Sequence, residues 1–229
     1  MNRLQEHSMI SSEEIYEDLL KKIVNCEYLP GDAVSENELC AVYGCTRHMV
    51  RGAFAKLREK GLLEVYPQRG SFVSLIDLNK ISDILFLREA TETSVVIQII
   101  GENDGLEELT VLLQKMISEQ KRAYAKGKDY LQEYFYTDDL FHQVLLDKAG
   151  RGGIGTILDD AYLHLRCWRN LEVRTTGRVP GLIGEHQAIC DAVKARDTEK
   201  AIHLLHEHFD TVKYAASVDE GRDTSYFYR

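Results

Sequence analysis

A mainly α-helical chain is predicted, with an N-terminal winged helix-turn-helix followed by a C-terminal antiparallel all-helical bundle. Three observations lead there. The first 76 residues order short helical patterns, tight turns and one hairpin signal; six apolar stripes of helical period fill the chain from about Leu78; and 229 residues contain only three prolines. At this length one large or two small domains are expected, and the boundary is placed between residues 1–76 and 77–229.

The elements follow in order. Ser11-Ser12-Glu13-Glu14 reads as a helix start, with Ile15, Leu19, Leu20, Ile23 and Val24 following at helical spacing. Leu29-Pro30-Gly31-Asp32 ends that helix and turns the chain. Ser35, with Glu38 three residues on, caps a second helix whose apolar face is Leu39, Val42 and Tyr43. Gly44-Cys45 makes a tight turn, and Thr46 caps a third helix bearing Val50, Phe54 and Leu57, which Gly61 stops. Residues 62–66 and 71–75 read as two strands around Pro67-Gln68-Arg69-Gly70. The later helical stripes run over 80–100, 105–126, 129–148, 154–173, 181–195 and 198–216, with six antiparallel helices as the expected architecture.

Composition narrows the class. With 44% hydrophobic and 28% charged residues the chain has enough apolar material for a core, which excludes disorder throughout. No apolar run reaches the roughly 18–20 residues of a membrane span. The start MNRLQEHSMISSEE lacks the apolar region of a signal peptide, so a cytoplasmic location without a membrane partner is expected. Five cysteines, an odd number without CxxC spacing, fit reduced thiols better than a disulfide frame or a zinc ribbon. The net charge of −9 speaks against nucleic acid until its distribution is read. Residues 45–73 hold six basic side chains against two acidic ones, whereas residues 77–229 carry a net −7.

Within that basic stretch, Arg47 and Arg51 share one face at the N-terminal turn of the third helix, the end that a recognition helix inserts into the major groove. Arginine suits bidentate contact with guanine or phosphate. Thr46 and His48 flank them, and Arg69 stands beside Gly70 at the wing tip, where a wing reaches the adjacent backbone or minor groove. Each arginine alone is an ordinary solvated side chain. Their joint placement in one motif makes double-stranded DNA the expected partner, and symmetric half-sites imply a homodimer.

Polar residues interrupt the apolar stripes of the bundle at four inward positions. Asp138 and His142 lie four apart on the line of Leu131, Phe135 and Leu145; His186 falls between Leu182 and Ile189; His208 sits in the line of Ala201, Leu204, Leu205 and Val212. A buried carboxylate needs a partner. A divalent metal held by one carboxylate oxygen and three imidazoles supplies it, with zinc, nickel or manganese all compatible. The alternative is a buried Asp–His hydrogen bond with two satisfied core histidines. Arg88 also continues an inward line, that of Ile81, Leu85 and Val95, and its partner is either Glu92 four residues on or the carboxylate of a bound effector. Arg166, Arg169 and Tyr134 are further effector-binding candidates. No catalytic residue is assigned; a metal-dependent hydrolase or isomerase with an appended DNA-binding-like domain is the competing reading.

Residues 29–73 resemble the DNA-binding domain of the GntR family of bacterial transcription regulators, whose pattern is PPG, LSE with EL, VSRTPVREAL, GLV and a PxRGxxV wing. The match lies at Pro30-Gly31, Ser35-Glu36, Glu38-Leu39, Arg47, Val50-Arg51, Ala53, Leu57, Gly61-Leu62 and Pro67 through Val73. The chain departs from it at Met49 and at Gly52, and glycine at that helical position should cost about 1 kcal/mol relative to alanine. Residues 134–150 resemble the Dx₃H helix of the FCD ligand-sensing domain of the FadR-like subgroup, and Glu185-His186 with Asp197, Ala201 and His208 resemble its last two helices. The resemblance implies that Asp138 and the three histidines bind a metal that receives a small carboxylate, such as a sugar acid. It also implies that Arg88, in LREATE, serves that ligand.

Overall fold

A computed structural model describes residues 10–102, 104–127, 130–211 and 226–228. It divides into two compact units at Ile76 and Asp77.

In the first unit α1 (Ser12–Val24) starts with a complete capping box. The Ser11 hydroxyl accepts from the Glu14 amide at 3.1 Å while the Ser11 amide donates to Glu14 Oε2 at 2.7 Å. After the turn at Pro30, where Asp32 Oδ2 accepts from the Leu29 amide at 2.7 Å, a two-residue strand β1 (Ala33–Val34) forms. Helices α2 (Glu36–Tyr43) and α3 (Arg47–Glu59) flank a turn at Gly44, whose φ of 61° is a left-handed conformation suited to glycine. The hairpin of β2 (Leu63–Tyr66) and β3 (Gly70–Val73) completes an antiparallel sheet of order β1-β3-β2, with Leu63 opposite Val73 and Tyr66 opposite Gly70. Ile15 and Leu19 of α1 and Val50, Ala53 and Leu57 of α3 are fully buried and form its core.

Three details differ from expectation. The edge strand β1 is too short to carry an alternation pattern. Thr46 holds the N-cap position of α3 but makes no side-chain capping bond. The chain also comes back to this unit at its end: Ile76 donates its amide to Tyr226 O at 2.8 Å and accepts from Tyr228 N at 3.1 Å, a parallel bridge with Phe227. The free backbone groups of Ile76 thus recruit residues 226–228, which the boundary at 77–229 assigns to the bundle.

The second unit contains seven helices among the described residues: α4 (Leu78–Glu102), α5 (Leu106–Ala125), α6 (Leu131–Lys148), α7 (Gly153–Ile157), α8 (Asp159–Thr176), α9 (Val179–Ala195) and α10 (Thr198–Phe209). Helix α5 packs on α6 and α9; α4 packs on α6, α8 and α10; and α9 packs on α10. The expected stripe over 154–173 is two helices, because Leu158 at φ −98° and ψ 6° leaves the helical region and separates α7 from α8. Ile157 and Leu112, apolar residues within the ranges 154–173 and 105–126, are 80% and 46% exposed and so lie off the buried faces. Helix α10 ends at Phe209, short of the expected residue 216, and Val212 lies outside the described residues. No described helix is long and apolar enough to cross a membrane.

Gly52 has a packing reason that its helix propensity hides. A Cβ built there would lie 2.9 Å from Ser12 Oγ and 3.1 Å from Ser12 Cβ, so the glycine permits the close approach of α1 and α3. Gly52→Ala is therefore expected to leave the unfolding free energy within about 0.5 kcal/mol of wild type, short of the about 1 kcal/mol that propensity alone returns. Urea denaturation measures this, and a gain of the full amount would show that the two helices have room to spare.

Candidate metal centre and nucleic-acid interface

The N-terminal end of α3 is open to solvent. Thr46, Arg47, His48 and Arg51 are all exposed, while Val50 and Phe54 on the opposite face are buried. Arg51 is not entirely free: its Nε lies 3.2 and 3.0 Å from the two Glu36 carboxylate oxygens. Arg47 lines one groove together with Gln68, Arg69 and Gly70 of the hairpin turn. The turn is set by positive φ at Gln68 (61°) and Gly70 (107°), and the Arg69 guanidinium sits 5.6 Å from the Tyr66 ring centre. The recognition-helix end and the wing tip thus form one basic surface.

In the helical unit, α6 brings Asp138 and His142 one turn apart, α9 contributes His186 and α10 contributes His208. All four are at most 4% exposed. Their Nε2 atoms converge. His142 Nε2 and His208 Nε2 are 3.4 Å apart, Asp138 Oδ2 is 3.8 Å from His142 Nε2, and Asp138 Oδ1 is 3.7 Å from His186 Nε2. One ligand atom from each of the three histidines lies within 4.8 Å of the others.

The opposite edge of each ring explains why. His142 Nδ1 is 2.6 Å from Glu92 Oε2, His186 Nδ1 is 2.9 Å from Gln120 Oε1, and His208 Nδ1 is 2.8 Å from Glu185 Oε2. An oxygen acceptor at Nδ1 makes that nitrogen the protonated one and leaves the Nε2 lone pair free. His186 Nε2 is buried with no hydrogen-bond partner among the described residues, and its 3.7 Å to Asp138 is too long for one. An unprotonated nitrogen aimed at two other imidazoles and a carboxylate fits a divalent cation.

Electrostatics keep Asp138, His142 and His186 in their binding forms. Burial is the main cause that lowers His142 well below the ordinary imidazole range and His186 to about 3. Burial alone would raise Asp138, but the Arg169 guanidinium beside it, then His186 and His142, hold its carboxyl well below the usual carboxylate range. Arg169 Nη2 is in direct ionic contact with Asp138 Oδ2 and 8% of the residue is exposed. Burial raises Glu92 despite Arg88, whose Nε donates to Glu92 Oε1 at 2.9 Å. Burial would raise Glu185, but His208 and Arg178 together outweigh it and lower the carboxyl.

A cavity of about 560 Å³ adjoins this centre, and His142 lies on its wall. Of the expected effector residues, Arg88 and Arg166 also line it. Arg88 is buried and holds its guanidinium 5.6 Å from the Tyr162 ring and 5.3 Å from that of Phe209; Arg166 Nε is 3.1 Å from Asp139 Oδ2. Arg169 and Tyr134 are placed elsewhere. Both attend Asp138, with the Tyr134 hydroxyl donating to Oδ1 at 3.3 Å. Sequence reasoning missed Gln120 as a residue of this centre. A glutamine continuing the buried line of Leu113, Met116 and Ile117 on α5 was its signal.

A winged helix with a basic recognition end, joined in one chain to a helical unit with a buried histidine–carboxylate centre, defines the class of a DNA-binding transcriptional regulator. The chain belongs to the GntR family. Residues 11–73 match the family model for bacterial regulatory proteins of the gntR family, and residues 83–211 match the FCD domain. An HTH-type transcriptional regulator from an unstable DNA locus of Streptomyces ambofaciens is 32% identical over 91% of this chain and 86% of its own length. The transcriptional repressor RspR of Escherichia coli is 27% identical over 88% and 86%, and the gluconate operon transcriptional repressor of Bacillus subtilis is 24% identical over 86% and 81%. The fold is that of a GntR regulator from Rhodococcus, with a TM-score of 0.72 at 21% identity over 92% of this chain and 99% of that one.

Because His186 stays neutral in the fold to about 3 while an unfolded imidazole titrates near about 6.5, the unfolded chain takes up a proton that the folded one refuses. Its contribution is present above about pH 6.5 and is lost as pH falls from there toward the folded value. Urea midpoints of the metal-free protein are therefore expected to drop between about pH 7 and 5, less steeply in His186→Leu, by at most about 1.4 kcal/mol per pH unit for this group. Parallel profiles for the two proteins would show that the imidazole protonates in place.

Proposed function

We propose that this chain is a cytoplasmic, homodimeric transcription regulator that binds operator DNA through α3 and the wing and responds to a small carboxylate received at a divalent metal. The convergence of three Nε2 atoms and one carboxylate, each imidazole oriented through its Nδ1, is the observation that carries it. Asp138, His142, His186 and His208 hold the metal, for which zinc, nickel and manganese are all suited to the nitrogen and oxygen donors. The metal supplies a Lewis-acidic position for a carboxylate oxygen.

The charges of the cavity wall support a metal as the anion's point of attachment. It presents Glu92, Asp139, Asp159 and Asp160 against Arg88 and Arg166, so acidic side chains outnumber basic ones and an anion finds its attraction at the metal. Arg88 and Arg166 then orient the bound ligand, whereas Arg169 and Tyr134 hold Asp138. The named target of the gluconate repressor makes a polyhydroxylated acid the ligand class of choice. On DNA, Arg47 and Arg51, flanked by Thr46 and His48, meet the major groove, and Arg69 beside Gly70 meets the backbone or minor groove. Exposed Val111 and Leu112 on α5, with Phe86 and Ile97 on α4, offer apolar surface for the dimer. The chain acts by binding and not by turnover.

One titration tests the reading. A duplex selected from a random-sequence pool with the metal-loaded protein is titrated with gluconate while affinity is followed by anisotropy. Gluconate is expected to change affinity in wild type and not in His186→Ala, which should also lose its metal by elemental analysis. Arg47→Ala should weaken binding of the selected duplex about tenfold or more. Retention of metal by His186→Ala, or an Arg47→Ala protein of unchanged affinity, would contradict the assignment.

A further inference from the structure

Helix α2 ends in a left-handed glycine, Gly44, and the amides of Gly44 and Cys45 both turn back to Cys40 O, the second at 3.2 Å. In such an ending the residue after the glycine packs on the residue five positions earlier. Here both of those residues are cysteines. The backbone closure brings the two residues side by side, and both are half-buried, so a small molecule can reach them. Cys45 is also the residue immediately before Thr46 and Arg47, where α3 begins without a side-chain cap. Its position therefore sets the entry of the recognition helix.

We propose that Cys40 and Cys45 form a reversible disulfide that switches DNA binding by low-molecular-weight disulfides, a redox input separate from the metal centre. Burial and the neighbouring Cys40 push the Cys45 thiol up, which suits Cys45 to the second, resolving step. The Cys40 thiolate attacks one sulfur of the small disulfide and releases one small thiolate, leaving a mixed disulfide. Cys45 then gives up its proton, displaces the second small thiolate and closes the Cys40–Cys45 bond. Two electrons pass to the external disulfide, which leaves as two thiols with the two protons. Closing the bond draws Cys45 toward α2 and moves the first turn of α3 with it.

The switch rests on α3 being the DNA-reading helix, and the test separates the two ideas. The reduced full-length protein is equilibrated with glutathione disulfide, digested with a Glu-specific protease and weighed; cleavage at Glu27 and Glu38 separates Cys26 from the pair. The fragment carrying Cys40 and Cys45 should be lighter by two hydrogen atoms. The oxidised protein should bind the selected duplex about ten- to a hundredfold more weakly, the scale of one lost base contact. Dithiothreitol should restore binding, and Cys45→Ser should bind normally and ignore the oxidant. Stable glutathione adducts in place of the internal bond, an oxidised protein of unchanged affinity, or equal loss in Cys45→Ser would overturn the switch and leave the role of α3 intact. A reduced protein that binds no duplex would overturn both.

Discussion

Each histidine of the buried centre is oriented from behind, and the rest of the helical unit depends on that constraint. An imidazole has two nitrogens of nearly equal basicity, and only a hydrogen bond at one decides which is free. Glu92 on α4, Gln120 on α5 and Glu185 on α9 each take one Nδ1 proton. Four helices must therefore meet around α6 at fixed rotation. Losing one acceptor would leave a buried N–H without a partner, a cost of about 1–3 kcal/mol.

The surrounding charges balance within the same small volume. Asp138 is screened by Arg169, Glu92 by Arg88, and Glu185 by Arg178 at 2.8 Å. At Asp138 and Glu185 the neighbouring charges outweigh burial and preserve an anionic oxygen, whereas Arg88 only partly offsets burial at Glu92. Arg88 also faces the cavity, which places one guanidinium in both the support of His142 and the cavity wall. Arg88 holds Glu92, and Glu92 holds His142. That chain of contacts joins α4 to α6.

Much of this was legible from residue order because helical period and caps are local properties. Ser11, Ser35 and Gly44 announced the helix ends, and the stripes through Asp138, His142, His186 and His208 placed all four inside. What escaped reading was either short or tertiary. Strand β1 has too few residues for a pattern, and the break at Leu158 depends on backbone angles that a stripe does not encode. The reach of Gln120 to His186 spans 66 positions, which no local pattern expresses. Arg169 and Tyr134 were legible as inward polar residues, but their choice of Asp138 over the cavity is a matter of which helix faces which. Gly52 was readable as a weak helix former and not as the contact point of α1 and α3.

X-ray absorption at the edge of a divalent metal loaded onto the purified protein reads the donor set itself. Scattering from three imidazoles is expected, with nitrogen and oxygen neighbours at about 2.0–2.2 Å and no sulfur, and one imidazole fewer in His186→Gln. A sulfur neighbour, or a spectrum with no imidazole contribution, would contradict that donor set.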